Sequence, residues 1–268
     1  MIRPLLGGPY VDLERYVDVA ALGELDDEVC AGLACVATDY TGGSHKSMGI
    51  VPPSSAHDRD VDYGQVIAAM SRADFARFIA LSDTPYDFDL DRRTEYEFGE
   101  EREWPLSRRQ MRFLEFRHRV YFPWKVFYEL VPNWRWEDRA RGEGKMFTDE
   151  ARCFFPRTIA FIERLPFARI GRCNILGLQS HDHGTVHHDG EEESEVGHFI
   201  TLCPRGDKRL FLWDEERRLP IPVHGRAYWF DDRNYHGIAA DPFFRYSIRV
   251  DGAFQPEFLR RLRSEAHG

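Results

Sequence analysis

Several features are scarce in this 268-residue sequence, and each scarcity excludes a class of protein. Cysteine comes to only five residues (Cys30, Cys35, Cys153, Cys173, Cys203), odd in number, widely spread and without a C-x-x-C pair. That pattern excludes a disulfide framework and a thiolate zinc site, and reduced thiols in a cytoplasm are expected. Nowhere does the chain offer the roughly 18 consecutive apolar residues of a membrane-spanning helix. The opening MIRPLLGGPYVDLERY has only a short apolar run before Asp12, so neither an export segment nor a membrane partner is expected. Basic residues number 36 against 45 acidic ones, a net charge of −9, which gives a general affinity for nucleic-acid phosphates no support. Repeats are absent, and the only low-complexity patch is the acidic Gly190–Glu195 stretch.

What is present suits a folded chain: 43% hydrophobic and 30% charged residues are enough for one sizeable core. We expect a single domain over 1–268, with 1–166 mainly helical, 167–256 a β-rich core and 257–268 a C-terminal helix or tail. Apolar periodicity predicts helices around 20–36 and over 63–81, the latter carrying Val66, Ile67, Met70, Phe75, Phe78 and Ile79 on one side. Between them, TDYTGGSHKSMGIVPPSS reads as an exposed or functional loop. The stretch 107–130 predicts two short helices parted by Pro123. Thr148, followed by Asp149 and Glu150, predicts an N-cap for a helix that runs past or bends at Pro156 and is closed by Pro166. From Ala168 onward the texture changes to short strands: ARIGRCNILGL, GHFITLCP, RLFLW, RAYWF and FRYSIRVDGAF.

The chemistry concentrates in SHDHGTVHHDGEEES. His187 and Asp189 are two apart, so on an extended chain both point to one face and can share a metal. His236, in FDDRNYHGI, is a third ligand from a distant strand. Two histidines and a carboxylate occupy one face of an octahedral iron(II) and leave three positions for a bidentate co-substrate and O2. The alternative pair His181-x-His183 mimics a cupin site, but the glutamate such a site needs a few residues later is replaced by His187 and His188. Nine residues beyond His236, Arg245, Ser247 and Arg249 alternate on one strand face. A 2-oxo dicarboxylate bound to the metal would present its remote carboxylate to Arg245, with Ser247 donating a further hydrogen bond. Arg249 has two readings, a substrate carboxylate or the barrel rim. Asn174, a candidate for co-substrate binding, and Gln179, with Arg172 by alternation, suit the cavity wall or structural hydrogen bonding equally. Trp213, Tyr228 and Trp229 read as packing residues, and Asp231 and Asp232 as turn residues or as orienters of an imidazole.

H-x-D, a distal His and a following R-x-S together resemble the signature of the Fe(II)/2-oxoglutarate dioxygenases, over roughly 168–256. Within that group, WFDDRNYHGIAADPFFRYSIRVD is similar to the corresponding stretch of aspartyl/asparaginyl β-hydroxylase-like enzymes and bacterial proline cis-hydroxylases. The resemblance implies an α+β fold: a double-stranded β-helix (jelly-roll, cupin-like) core with a mainly helical N-terminal half packed on it. It implies Fe(II), 2-oxoglutarate and O2 as cofactor and co-substrates, with succinate and CO2 as co-products of hydroxylation. The implied substrate is an amino acid, free, carrier-tethered or within a peptide. Relatives carry a second basic residue after the H-x-D that helps bind the co-substrate; here His198 stands in the place where it would lie. A cupin-like hydrolase or isomerase, or a non-catalytic jelly-roll binding protein, is the alternative, and neither explains Arg245 and Ser247 together.

Overall fold

The computed structural model describes residues 2–38, 63–83, 88–99, 104–133, 136–189 and 195–266. Its central strand is β10 (Arg245–Phe254), the RYSIRVDGAF segment, with nine of ten residues buried. β10 is hydrogen-bonded on both sides, to β3 (Phe167–Leu178) and to β5 (His198–Leu202). The register sets Ile248 opposite both Ile175 and Leu202, and all three are fully buried. Each such side chain contributes about 1.5–3 kcal/mol by leaving water. Ser247, Arg249 and Asp251 alternate with this row and face the other side of the sheet.

The sheet widens by β8 (Ala227–Phe230) on β5, β1 (Tyr10–Asp12) on β8 and β2 (Val126–Val131) on β3, giving the antiparallel order β1-β8-β5-β10-β3-β2. A second antiparallel sheet contains β4 (Gly184–His187), β9 (His236–Ile238), β6 (Leu210–Asp214) and β7 (Leu219–Pro222), in the order β4-β9-β6-β7. One cavity is lined by Leu176, Thr201 and Ser247 from the first sheet and His187, Leu210 and Ile238 from the second. The two sheets therefore face one another, consistent with a jelly-roll core.

The helices are α1 (Val19–Gly23), α2 (Asp26–Cys35), α3 (Tyr63–Ala68), α4 (Arg72–Ile79), α5 (Arg108–His118), α6 (Asp149–Phe154), α7 (Pro156–Ile162) and α8 (Pro256–Ala266). The outer face of the six-stranded sheet is met by α2, where Asp26 accepts from the Tyr246 hydroxyl at 2.9 Å, and by Phe155 between α6 and α7, whose ring lies 5.1 Å from that of Tyr128. This second layer explains why β10 is apolar on one face although no strand covers it there.

Several sequence expectations are modified. The helix around 20–36 divides into α1 and α2, and that over 63–81 divides at Ser71, whose hydroxyl accepts from the Asp74 amide at 3.1 Å and starts α4 afresh. Local capping overrides the longer periodicity there. In 107–130 only the first helix forms, as α5, behind a reciprocal Ser107/Gln110 capping box. The second is strand β2 instead, because VFYELV is rich in β-branched and aromatic residues and β3 offers it an edge. With β1 as well, the first 166 residues supply strands to both edges of the six-stranded sheet. Thr148 caps α6 through the Ala151 amide at 3.0 Å, and Pro156 opens α7. The loop residues 39–55 and the acidic residues 190–194 lie outside the described residues. No described helix is long and apolar enough to cross a membrane.

Candidate metal centre

His187 ends β4 and His236 begins β9, and the strand register pairs them directly, with ring centroids 4.4 Å apart. Asp189 lies two residues beyond His187, just past the end of β4, and is pinned by its backbone N–H, which donates to the Asp232 carbonyl at 2.8 Å. Their potential ligand atoms all lie within 4.8 Å of one another, and among the described residues this is the cluster able to hold a metal ion. His187 Nε2 is 3.3 Å from Asp189 Oδ1, and His236 Nε2 is 3.7 Å from Asp189 Oδ2. Metal binding would draw these ligand atoms together, to about 3 Å apart.

The rings are presented correctly for that purpose. Nδ1 of His187 lies 2.8 Å from the Thr185 carbonyl, and Nδ1 of His236 lies 2.9 Å from that of Asn234. A carbonyl can only accept, so each Nδ1 carries the proton and each Nε2 turns its lone pair toward the carboxylate. Burial, and then the neighbouring His187, push the His236 pKa down to about 3, which keeps the ring neutral. Burial alone would favour a protonated Asp189, but the Arg249 guanidinium at 2.7 Å opposes it, and the carboxyl is held well below the usual range.

Arg249 is not at a rim. It is 6% exposed, and it spends all three nitrogens on carboxylates: Nη1 on Asp189 Oδ2 at 2.7 Å, Nη2 on Asp232 at 2.8 Å and Nε on Asp251 at 3.0 Å. Arg172 binds Asp251 at 3.0 Å, and Arg139 approaches Asp232 at 3.7 Å. Asp232 thus belongs to a buried charge network behind the centre, whereas Asp231 holds its own turn through Arg233.

The cavity beside the triad has a volume of about 50 Å³. Its far wall holds Lys208, two residues before β6 and 7% exposed. Lys208 Nζ donates to Ser247 Oγ at 2.5 Å and sits 5.0 Å from the centre of the Trp124 ring. It forms no salt bridge with a described carboxylate, and burial pushes its pKa down to about 8.

Arg245 does not line this cavity, a correction to its expected role. Fully buried, it donates to the carbonyls of Gln179, Asp182, Ala239 and Phe243 and pairs with Asp241 at 3.3 Å. It therefore clips the β3–β4 turn to the β9–β10 turn, and the carbonyls of those turns consume its donors. Ser247, by contrast, does reach the cavity. His198 is also displaced from its expected role: its ring stacks on Phe254 at 4.8 Å, its Nδ1 accepts from the Phe254 amide at 3.2 Å, and it is absent from the cavity wall. Asn174 is fully buried on β3 between Arg172 and Leu176, both of which line the cavity. His183 stacks on Tyr121 at 4.8 Å, and neither it nor His181 joins the triad.

Sequence reasoning misses Lys208, Trp136 and Arg139. Trp136 and Arg139 lie in and beside a short 3-10 helix (Trp136–Asp138) with no periodic signal. Lys208 does carry a signal: it stands two residues before Leu210 and four before Leu212, on the alternation that points inward.

No family model matches the chain, and no curated protein does. Among solved structures it is similar to an oxidoreductase of the 2OG-Fe(II) oxygenase family from Burkholderia pseudomallei, at 15% identity and a TM-score of 0.32, over 48% of this chain and 70% of that one. It is similar to a prolyl hydroxylase from Trichoplax adhaerens, in complex with a hypoxia inducible factor peptide fragment, at 16% identity and a TM-score of 0.27, over 48% and 68%. A viral collagen prolyl hydroxylase from Paramecium Bursaria Chlorella virus-1 aligns at 7% identity and a TM-score of 0.26, over 48% and 80%.

Proposed function

We propose that the chain is an Fe(II)/2-oxoglutarate-dependent oxygenase with a double-stranded β-helix core, in which His187, Asp189 and His236 hold the iron and Lys208 with Ser247 holds the remote carboxylate of 2-oxoglutarate. The observation that carries this reading is Lys208: a buried ammonium on the wall of the triad's own cavity, hydrogen-bonded to Ser247 and facing no described carboxylate. A buried cation without a counter-ion is costly, so its site suits an anion that arrives with a ligand. Thr201, on the same wall, is a further hydroxyl within the cavity.

Bound iron(II) would supply activation of dioxygen and oxidation of an unactivated C–H bond, coupled to conversion of 2-oxoglutarate into succinate and carbon dioxide. The residues perform the remaining tasks. Thr185 and Asn234 carbonyls orient the two imidazoles, and Arg249 occupies Asp189 Oδ2 while Oδ1 faces the His187 side. Lys208 and Ser247 would orient the co-substrate, and Trp124, Leu176, Leu210 and Ile238 exclude water around its methylene groups. The substrate is an amino acid or its derivative, entering from the opposite end beside Trp136.

The test is succinate release in air from protein supplied with iron(II) and 2-oxoglutarate. Turnover that needs both, and is lost in Asp189→Ala, supports the assignment. A metal-loaded protein that neither binds 2-oxoglutarate nor releases succinate would refute it and leave a binding protein or hydrolase.

A further inference from the structure

Lys208 accounts for one end of the cavity; the other end is lined by Arg172, Arg249 and Trp136. Arg249 has no nitrogen to spare, since each one meets a carboxylate. Arg172 is only partly engaged: Nε and Nη2 both reach the same oxygen of Asp251 at 3.0 Å, and Nη1 makes no bond to a described residue. Two residues along β3 comes Asn174, fully buried, and neither of its amide atoms has a hydrogen-bond partner among the described residues. Arg172 and Leu176 line the cavity, so period-two alternation puts Asn174 on that same face of β3, where its fully buried amide lies beneath the lining and not in it. A buried amide with all its hydrogen-bonding capacity unmet, beside a guanidinium with one arm unused, is a polar site awaiting a ligand.

Charge specifies the ligand. Three guanidiniums, those of Arg139, Arg172 and Arg249, lie around the Trp136 ring at 4.1, 4.5 and 5.4 Å from its centre. Their counter-ions are Asp189, Asp232 and Asp251. Once Asp189 gives its charge to a divalent metal, two carboxylates face three guanidiniums. With Asp189 committed to a metal, the guanidinium cluster around Trp136 keeps Asp232 and Asp251 as its buried partners, which favours an anionic ligand at that end.

We infer, on the footing of the co-substrate assignment above, that the substrate carries a free carboxylate, docked on Arg172 Nη1 and the Asn174 amide at the Trp136 end of the cavity. Arg172 Nη1 and Asn174 Nδ2 donate to the carboxylate oxygens, and Asn174 Oδ1 accepts from an N–H on the adjacent carbon. The matching class is an α-amino or N-acyl-α-amino acid with its carboxylate unblocked, in preference to a thioester-tethered or internal peptide residue, whose carbonyl carries no charge. The edge of Trp136 would lie against its side chain.

The experiment uses the full chain loaded with zinc(II), a redox-silent stand-in, and saturated with 2-oxoglutarate. Ligand-observed NMR then screens L-α-amino acids and their N-acetyl derivatives against the matching carboxamides, with hits titrated for affinity. Acids should bind at least tenfold more tightly than their amides. Arg172→Gln should remove that preference while 2-oxoglutarate affinity stays within about twofold, which also reports that the variant is folded. Should that variant fail to fold, Arg172→Lys keeps a cation for Asp251, and Asn174→Ala leaves the ion pairs intact; each should weaken acid binding severalfold. Acids that fail to bind, amides that bind equally, or acid binding indifferent to these substitutions would overturn the inference while leaving the co-substrate assignment standing. Loss of 2-oxoglutarate binding in Arg172→Gln, with Lys208→Met unaffected, would reverse the two ends and overturn it as well. If wild-type protein binds no 2-oxoglutarate, the co-substrate assignment itself fails.

Discussion

Replacing Lys208 by methionine should pull ligand affinity and protein stability in opposite directions. Methionine has nearly the length of the lysine stem and no charge, so packing against Trp124 and the wall of the cavity are kept. Truncating one partner of a buried ammonium–carboxylate pair costs roughly 2–5 kcal/mol, and 1.4 kcal/mol is tenfold, so 2-oxoglutarate should bind about 30- to 4000-fold more weakly. Metal affinity should be unchanged, since Lys208 touches none of the three ligands.

The ligand-free protein should gain stability from the same substitution. The ordinary lysine pKa of 10.5 falls to about 8 here because burial disfavours the charged form. Between pH 8 and 10.5 the unfolded chain therefore binds more protons at this site than the folded one. By linkage, Lys208 makes the folded state more stable as pH rises through that window and is a burden below it. The size of the burden is on the order of 3 kcal/mol at neutral pH. Thermal melts of both proteins at pH 7 and pH 10, without ligand, isolate it by difference, since the other titrating groups cancel. The methionine variant should melt several degrees higher at pH 7, and the gap should narrow at pH 10. A variant that melts lower at pH 7 yet binds 2-oxoglutarate normally would refute both the burial argument and the anchoring role.

Other substitutions separate fold from site. Arg245→Leu should destabilise the protein by about 3–5 kcal/mol, because Asp241 and four turn carbonyls are deprived of a buried partner, whereas the folded fraction should bind 2-oxoglutarate as before; chemical denaturation with calorimetry checks this. Ile248→Ala, in the row with Ile175 and Leu202, should cost about 2–5 kcal/mol in urea unfolding with no direct effect on metal uptake. Asp189→Ala should abolish tight metal binding in equilibrium dialysis and leave Arg249 with one buried carboxylate fewer.

Sequence revealed the centre better than its surroundings, for identifiable reasons. His187 and Asp189 were legible because strand geometry puts residues two apart on one face, and His236 because an apolar strand leads into it. Ser247 was legible by the same alternation, and Arg245 misled for the same reason: period two gives the face of a side chain but not what lies at its end. At Arg245 that end is closed by turn carbonyls from residues 179–182 and 239–243, which no local pattern announces. Lys208 hid in a polar turn, where lysine is ordinary, and its burial comes from strand β10 lying opposite. β2 escaped because its partner β3 is more than 40 residues away and supplies the reason for VFYELV to be extended.

The most direct measurement is anaerobic titration of 2-oxoglutarate into the iron(II)-loaded protein, followed by its weak visible charge-transfer absorption. A band that saturates at one equivalent in wild type, requires much higher 2-oxoglutarate in Lys208→Met and is absent in Asp189→Ala is the expected result. No band in the iron-loaded wild type, or one indifferent to Lys208, would contradict the assignment of this cavity to a metal-bound 2-oxo dicarboxylate.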